Sequence, residues 1–175
     1  MQTLRELRRL LAEAGARPQR RLGQNFLIDP NLQAALLALA EPAPQACVLE
    51  VGAATGSLTE ELLERCRRVV AVEMDERLAA VLRRRLGDRE NLTVLVGDVL
   101  AGKHALSPTV LGALEGHVEL VANLPYSIAT PLISLCLSAS WRADRAPAKP
   151  GAAGAAQTCG EPPGRATLPR FDRLT

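Results

Sequence analysis

Cys47-Val48-Leu49-Glu50-Val51-Gly52-Ala53-Ala54-Thr55-Gly56-Ser57 is the stretch that decides the fold. Cys47–Val51 is a short, mostly apolar run with the length of a buried strand. It stops at a turn of small residues between Gly52 and Gly56, and Ser57 to about Cys66 then reads as a helix. The alternation repeats downstream. Val69–Glu73 reads as a second strand, and Asp75–Leu86 as a helix with a capping Asp and a closing Gly87. Leu92–Val96 reads as a third strand and Val118–Ala122 as a fourth. Thr130-Pro131 reads as the opening of another helix, running to about Ser138. Short strands alternating with helices predict βαβ units, a parallel sheet and right-handed crossovers, an α/β fold. Upstream, Leu4, Leu7, Leu10, Leu11 and Ala14 recur at helical spacing, with Gly15 as the stop. Residues 16–29 read as a loop, and Asp29-Pro30 opens a helix to about Ala40 that Glu41-Pro-Ala-Pro44 ends.

A chain of 175 residues suits one domain of ordinary size. Its 47% apolar and 23% charged content excludes wholesale disorder and fibrous structure. The longest nearly unbroken apolar run, Leu32–Ala40, is too short to span a bilayer, so no membrane partner is expected. The first twenty residues are Arg-rich and helical in pattern, without the apolar centre of a secretory leader. Cys47, Cys66, Cys136 and Cys159 lie far apart with no C-x-x-C pair, which speaks for a reducing, cytoplasmic setting rather than a zinc site or a disulfide framework. The net charge of +2 divides unevenly, with +4 over residues 1–21, −5 over 22–140 and +3 over 141–175. A basic arm on an acidic body can meet a phosphate backbone, and it can equally be a solvated helix face. From Ala143 to Ala166, sixteen of twenty-four residues are Ala, Gly or Pro, too little apolar surface to offset chain entropy. Residues 1–140 are therefore expected to form the folded core and 141–175 a disordered tail.

The groups that could carry chemistry stand where the strands end, and open α/β sheets bind ligands at the carboxyl ends of their strands. The first strand runs into Gly52–Gly56, whose G-x-x-x-G spacing is not the dinucleotide fingerprint and fits a plain tight turn as well as a ligand loop. The second strand ends in Glu73, 21 residues beyond Gly52, where an acid can accept both hydroxyls of a ribose. Together they favour a cofactor that contains a nucleoside. The third strand ends in Gly97-Asp98, a carboxylate that can meet an adenine amino group or simply hold a turn. The fourth ends in Asn123-Leu-Pro-Tyr126, the most informative tetrapeptide. An exocyclic purine amine is a poor nucleophile because its lone pair is delocalised. The Asn side-chain oxygen and a backbone carbonyl held by Pro125 can bind its hydrogens, and Tyr126 can stack on a flipped base.

These stretches resemble the ribosomal RNA adenine N6-dimethyltransferase family, enzymes with a Rossmann-like core that use S-adenosyl-L-methionine. The resemblance is carried by Gly23-Gln-Asn-Phe-Leu27, Val48–Gly52 with Thr55–Thr59, Val72-Glu-Met-Asp75, Gly97–Leu100, and Val121–Tyr126 with Thr130–Ile133, in the family's order over about residues 15–137. It implies that Asn25 and Leu27 close over the methionine part of the cofactor. Gly52 would approach the cofactor, Glu73 hold its ribose and Asp98 contact its adenine. Asn123 would contact both cofactor and target amine, beside Pro125 and the stacking Tyr126. The implied reaction is methyl transfer from a sulfonium to adenine N6 in small-subunit ribosomal RNA, with the small ribosomal subunit precursor as partner. It needs alignment more than a strong base, so neither His104 nor His117 is a candidate base, and no metal is required.

The chain departs from the family twice. The glycine turn of the family reads E-x-G-P-G-x-G, and Ala53 and Ala54 stand here for its Pro and middle Gly. If the middle position needs a positive φ, Ala54 strains the turn by about 1 kcal/mol and weakens cofactor binding. The resemblance also stops near Leu137, so the core is expected to be incomplete at its C-terminus and the tail reads as another frame or a truncated gene model. A complete member is expected to be a monomer, while an open sheet edge would let this chain associate with itself. Alternatives are an inactive fragment that binds cofactor or RNA, and a large-subunit RNA adenine methylase, which typically has Ile at the place of Leu124. An NAD-dependent oxidoreductase is disfavoured by the glycine spacing. Arg17, Arg20 and Arg21 are candidate RNA contacts.

Overall fold

The computed structural model describes residues 2–16, 24, 26–102, 105–124 and 126–137. The described elements are helix α1 (Leu4–Glu13), α2 (Pro30–Ala40), strand β1 (Cys47–Val51), α3 (Ser57–Leu63), β2 (Arg68–Glu73), α4 (Glu76–Leu86), β3 (Leu92–Val96), α5 (Pro108–Ala113), β4 (Val118–Leu120) and α6 (Tyr126–Leu137). All of them fall within residues 1–145. Three helical starts have a side-chain cap. Thr3 Oγ1 accepts the Glu6 amide at 3.2 Å and starts α1, Asp29 accepts the Asn31 amide at 2.8 Å with Pro30 next, and Asp75 accepts the Arg77 amide at 3.0 Å.

Among the described residues the sheet is four-stranded and wholly parallel, in the order β3-β2-β1-β4. The chain leaves the centre in one direction through β2 to β3, and in the other to β4, so the order reverses between β1 and β4. That reversal opens a crevice beyond the strands' carboxyl ends. Side chains alternate across the sheet. Val48, Val69 and Ala71 face Leu37 of α2, Leu58 and Leu62 of α3 and Leu82 of α4, whereas Cys47, Leu49, Val70 and Val72 face Val110 of α5 and Leu132 of α6. Glu50 shares the parity of Val48, and Glu73 that of Val69 and Ala71. With Glu50 paired to Ala71 in register, both carboxylates lie on the α3 face at adjoining strand ends. α1 is attached separately, through Leu7 and Leu11 packed on Leu78 of α4.

The α/β reading, β1 and β3 stand as expected; β2 begins one residue earlier than expected, at Arg68, and four further boundaries or elements differ. α3 stops at Leu63 rather than about Cys66, and β4 stops at Leu120 rather than Ala122. α5 falls where no element was expected; Ser107-Pro108 gives its start the Pro-at-N1 pattern. α6 begins at Tyr126, so Pro131 lies inside it and not at its first position. Ile128, Leu132 and Leu135 recur at helical spacing, and burying Leu132 completely and Leu135 nearly so outweighs the backbone bond that Pro131 cannot donate. The expected tail, 141–175, lies outside the described residues, as do Arg17, Arg20, Arg21 and His104.

Candidate active site

The turn after β1 is built from left-handed backbone. Gly52 has φ +77°, Ala54 +51° and Gly56 +85°. The Gly52 and Ala53 amides both donate to the Val72 carbonyl, at 2.8 and 3.3 Å, which carries the turn over the end of β2. A Cβ at Gly56 would stand 2.4 Å from Leu82 Cδ1 and 3.0 Å from Leu86 Cδ1, so those side chains would have to move, and its φ disfavours any L-residue. Ala54 occupies the conformation that the sequence reading flagged, and an L-residue held there costs about 1–2 kcal/mol relative to its right-handed form. The Ala54 amide donates to Glu73 Oε2 at 2.7 Å, and the Asp75 amide donates to Glu73 Oε1 at 2.9 Å. The Glu73 carboxylate therefore joins the turn to the start of α4. Burial pushes its pKa up, and the two amides hold that rise back.

Beside the turn lies a small cleft of about 50 Å³, open on one side to solvent. One wall is the backbone from Gly52 to Thr55; the others come from Leu7 of α1, Phe26 to Ile28 of the preceding loop, and Asn123 beyond β4. It thus occupies the crevice between β1 and β4 that the strand order creates. Two of its lining residues hold buried polar atoms that meet no hydrogen-bond partner among the described residues. Glu50 is 2% exposed, and its Oε2 meets no hydrogen-bond partner among the described residues. Burial drives the Glu50 carboxyl up to about 8; the nearby Thr59 hydroxyl and amide lower it only in part, and the Glu73 carboxylate adds to the rise. Gln2 is 6% exposed and also lines the cleft; Thr55 Oγ1 donates to its Oε1 at 2.7 Å, while its Nε2 meets no partner among the described residues.

Leu27, Gly52 and Asn123, expected from the sequence, line this one cleft. Glu73 stands at the next strand end, its carboxylate on the turn's own backbone. Each carboxylate oxygen has a second lone pair, so a hydroxyl can still be accepted there. Asp98 lies on the exposed turn after β3, where its Oδ1 accepts the Leu100 amide at 2.9 Å, the turn-forming role named as its alternative. Tyr126 is the first residue of α6, and Asn25 and Pro125 lie outside the described residues. The sequence reading missed Gln2 and Glu50. The parity of β1 could have placed Glu50 beside Glu73. No local signal brings Gln2 to Thr55, 53 residues away.

The acidic groups at Glu50 and Glu73 and the left-handed backbone of the turn are open to a ligand that carries hydroxyls. Among the described residues no three His, Cys, Asp or Glu gather to hold a metal, and no helix is long and apolar enough to cross a membrane.

The family model for ribosomal RNA adenine dimethylase matches residues 15–150. The small-subunit ribosomal RNA methyltransferase A of Moorella thermoacetica is 38% identical over 137 residues, 76% of this chain and 48% of that protein. Among solved structures, the 23S rRNA methyltransferase ErmE superposes with a TM-score of 0.54 at 36% identity, covering 66% of this chain and 43% of that one. A dimethyladenosine transferase from Plasmodium falciparum does so with a TM-score of 0.51 at 28% identity, covering 63% and 37%. The chain spans about half the length of the curated relatives it matches.

Proposed function

The chain belongs to the ribosomal RNA adenine dimethylase family, and on that premise we propose that it is the cofactor-binding part of an enzyme that dimethylates adenine N6 in small-subunit ribosomal RNA with S-adenosyl-L-methionine. The observation that carries this reading is the cleft at the strand-order reversal, where the left-handed turn at Gly52 and the side of Asn123 meet. Bound there, the cofactor would supply an electrophilic methyl group; everything else is alignment.

Leu27 lines the cleft beside the turn, the place for the methionine part, with Asn25 two residues before it. Gly52 lets the ligand approach the backbone, and Glu73 offers lone pairs to the ribose. Asp98, already holding its own turn through one oxygen, keeps the other for the adenine amine. Asn123 stands at the rim, exposed, where a flipped base would meet the cofactor. Its side-chain oxygen and a carbonyl held by Pro125 would accept the hydrogens of the target amine, with Tyr126 stacking on the ring. The cytoplasm and the small-subunit precursor are the matching compartment and partner. Leu124 favours small-subunit over large-subunit RNA.

Transfer of labelled methyl groups tests the reading. Small-subunit RNA, naked or in a precursor particle, is expected to accept label from the wild-type chain and not from Asn123→Ala. Label in large-subunit RNA alone would overturn the substrate. Label that persists in Asn123→Ala would overturn the site.

A further inference from the structure

We propose that Gln2 is a specificity residue of this site, bracing the glycine turn through one end of its amide and donating to a ligand carboxylate through the other. The inference rests on the cofactor reading above. Gln2 precedes α1, whose first turn is fixed by Thr3, and α1 is held against α4 by the packing of Leu7 and Leu11 on Leu78. That packing brings the Gln2 side chain under the turn, where its Oε1 accepts the Thr55 hydroxyl. The Nε2 is buried and meets no partner among the described residues. A buried amide donor without a partner is costly, and native proteins keep few of them.

The same cleft holds a second such group, Glu50 Oε2, an acceptor. A donor and an acidic group recessed in one cleft are complementary to the two ends of an α-amino acid, the carboxylate toward Gln2 and the ammonium toward Glu50, whose carboxyl gives up its proton to solvent as the ammonium arrives. An amide N–H repels a metal ion, and a nucleobase or a ribose carries no full charge to reward so deep a burial of both groups. Gln2 therefore selects ligands that carry an amino-acid end. The turn and this amide are 53 residues apart in sequence, so the segment that leads into α1 contributes to the site.

Two ligands separate this claim from the cofactor reading. S-adenosylhomocysteine carries the amino-acid end, and 5′-methylthioadenosine is the same nucleoside thioether without it. Calorimetric affinities are compared for the wild-type chain, Gln2→Glu and Gln2→Ala. The Glu variant keeps an acceptor for Thr55 and replaces the donor with an oxygen that repels a carboxylate. Both variants are expected to lose about tenfold or more for S-adenosylhomocysteine, with methylthioadenosine nearly unchanged, the size of one lost charge-assisted hydrogen bond. Equal losses for both ligands, or no loss for either, would overturn the role of Gln2 and leave the cofactor reading standing. A folded wild-type chain that binds neither ligand would overturn the cofactor reading itself.

Discussion

Replacing Glu50 with Gln removes the carboxyl that burial has moved furthest from its ordinary value among groups of its kind here. Gln has the same shape and is neutral at every pH. Burial raises the Glu50 pKa from 4.5 to about 8, so between those values the folded chain binds a proton that the unfolded chain has released. Stability from this group is therefore complete below pH 4.5, declines as pH rises, and is gone above about 8. A single group with these two values loses about 3 kcal/mol between pH 5 and pH 8. Coupling to Glu73 spreads the loss over both carboxylates, but Glu73 is present in both proteins, so their difference isolates most of the Glu50 part. Urea unfolding of both proteins at pH 5, 6, 7 and 8 is the assay. The variant is expected to gain on the wild type steadily across that range, and to bind S-adenosylmethionine less tightly, having lost the acidic group in the cleft. A stability difference independent of pH would refute the reasoning, since Glu50 would then be solvated or paired in the fold.

Ala54→Gly releases the residue held at φ +51°. The relief of about 1–2 kcal/mol is partly offset by the greater freedom of glycine in the unfolded chain, leaving up to about 1 kcal/mol of added stability. Tighter binding of S-adenosylmethionine should accompany it, and a calorimetric titration showing no change would contradict the strain argument. Gly56→Ala places a Cβ 2.4 Å from Leu82 Cδ1 at φ +85°, and is expected to cost about 2 kcal/mol or more in denaturant unfolding. An unchanged midpoint would show that α4 stands further from the turn than described.

The strands were legible because β1 to β3 are compact apolar runs bounded by strong punctuation: the glycine turn, Asp75 and Gly97. The strain at Ala54 was legible only through the family resemblance, whose turn has Gly at that place where this chain has Ala. α6 was misplaced because Pro131 reads locally as a helix opening, while the helix is set by the burial of Leu132 against the sheet with Ile128 beside it, and by the burial of Leu135. α5 has only six residues, too few to show a period, and is held by the packing of Val110. At the site, residue type was readable and partnership was not. Glu73 could be named as an acid at a strand end, but its hold on the Ala54 amide depends on the curl of the turn. Glu50 looked like part of a strand, and only the parity of two adjacent strands sets it beside Glu73. Gln2 depends on a tertiary contact that no spacing encodes.

Calorimetric titration of the wild-type chain with S-adenosylmethionine, with NAD in a parallel cell, tests the central claim most directly. The account expects saturable one-to-one binding of S-adenosylmethionine and none of NAD. It also expects clear weakening in Asp98→Asn, which can keep the turn bond to the Leu100 amide but puts an N–H2 where the adenine amine needs an acceptor. A folded chain that takes up no S-adenosylmethionine, or that binds NAD as well, would contradict the assignment of the cleft between β1 and β4.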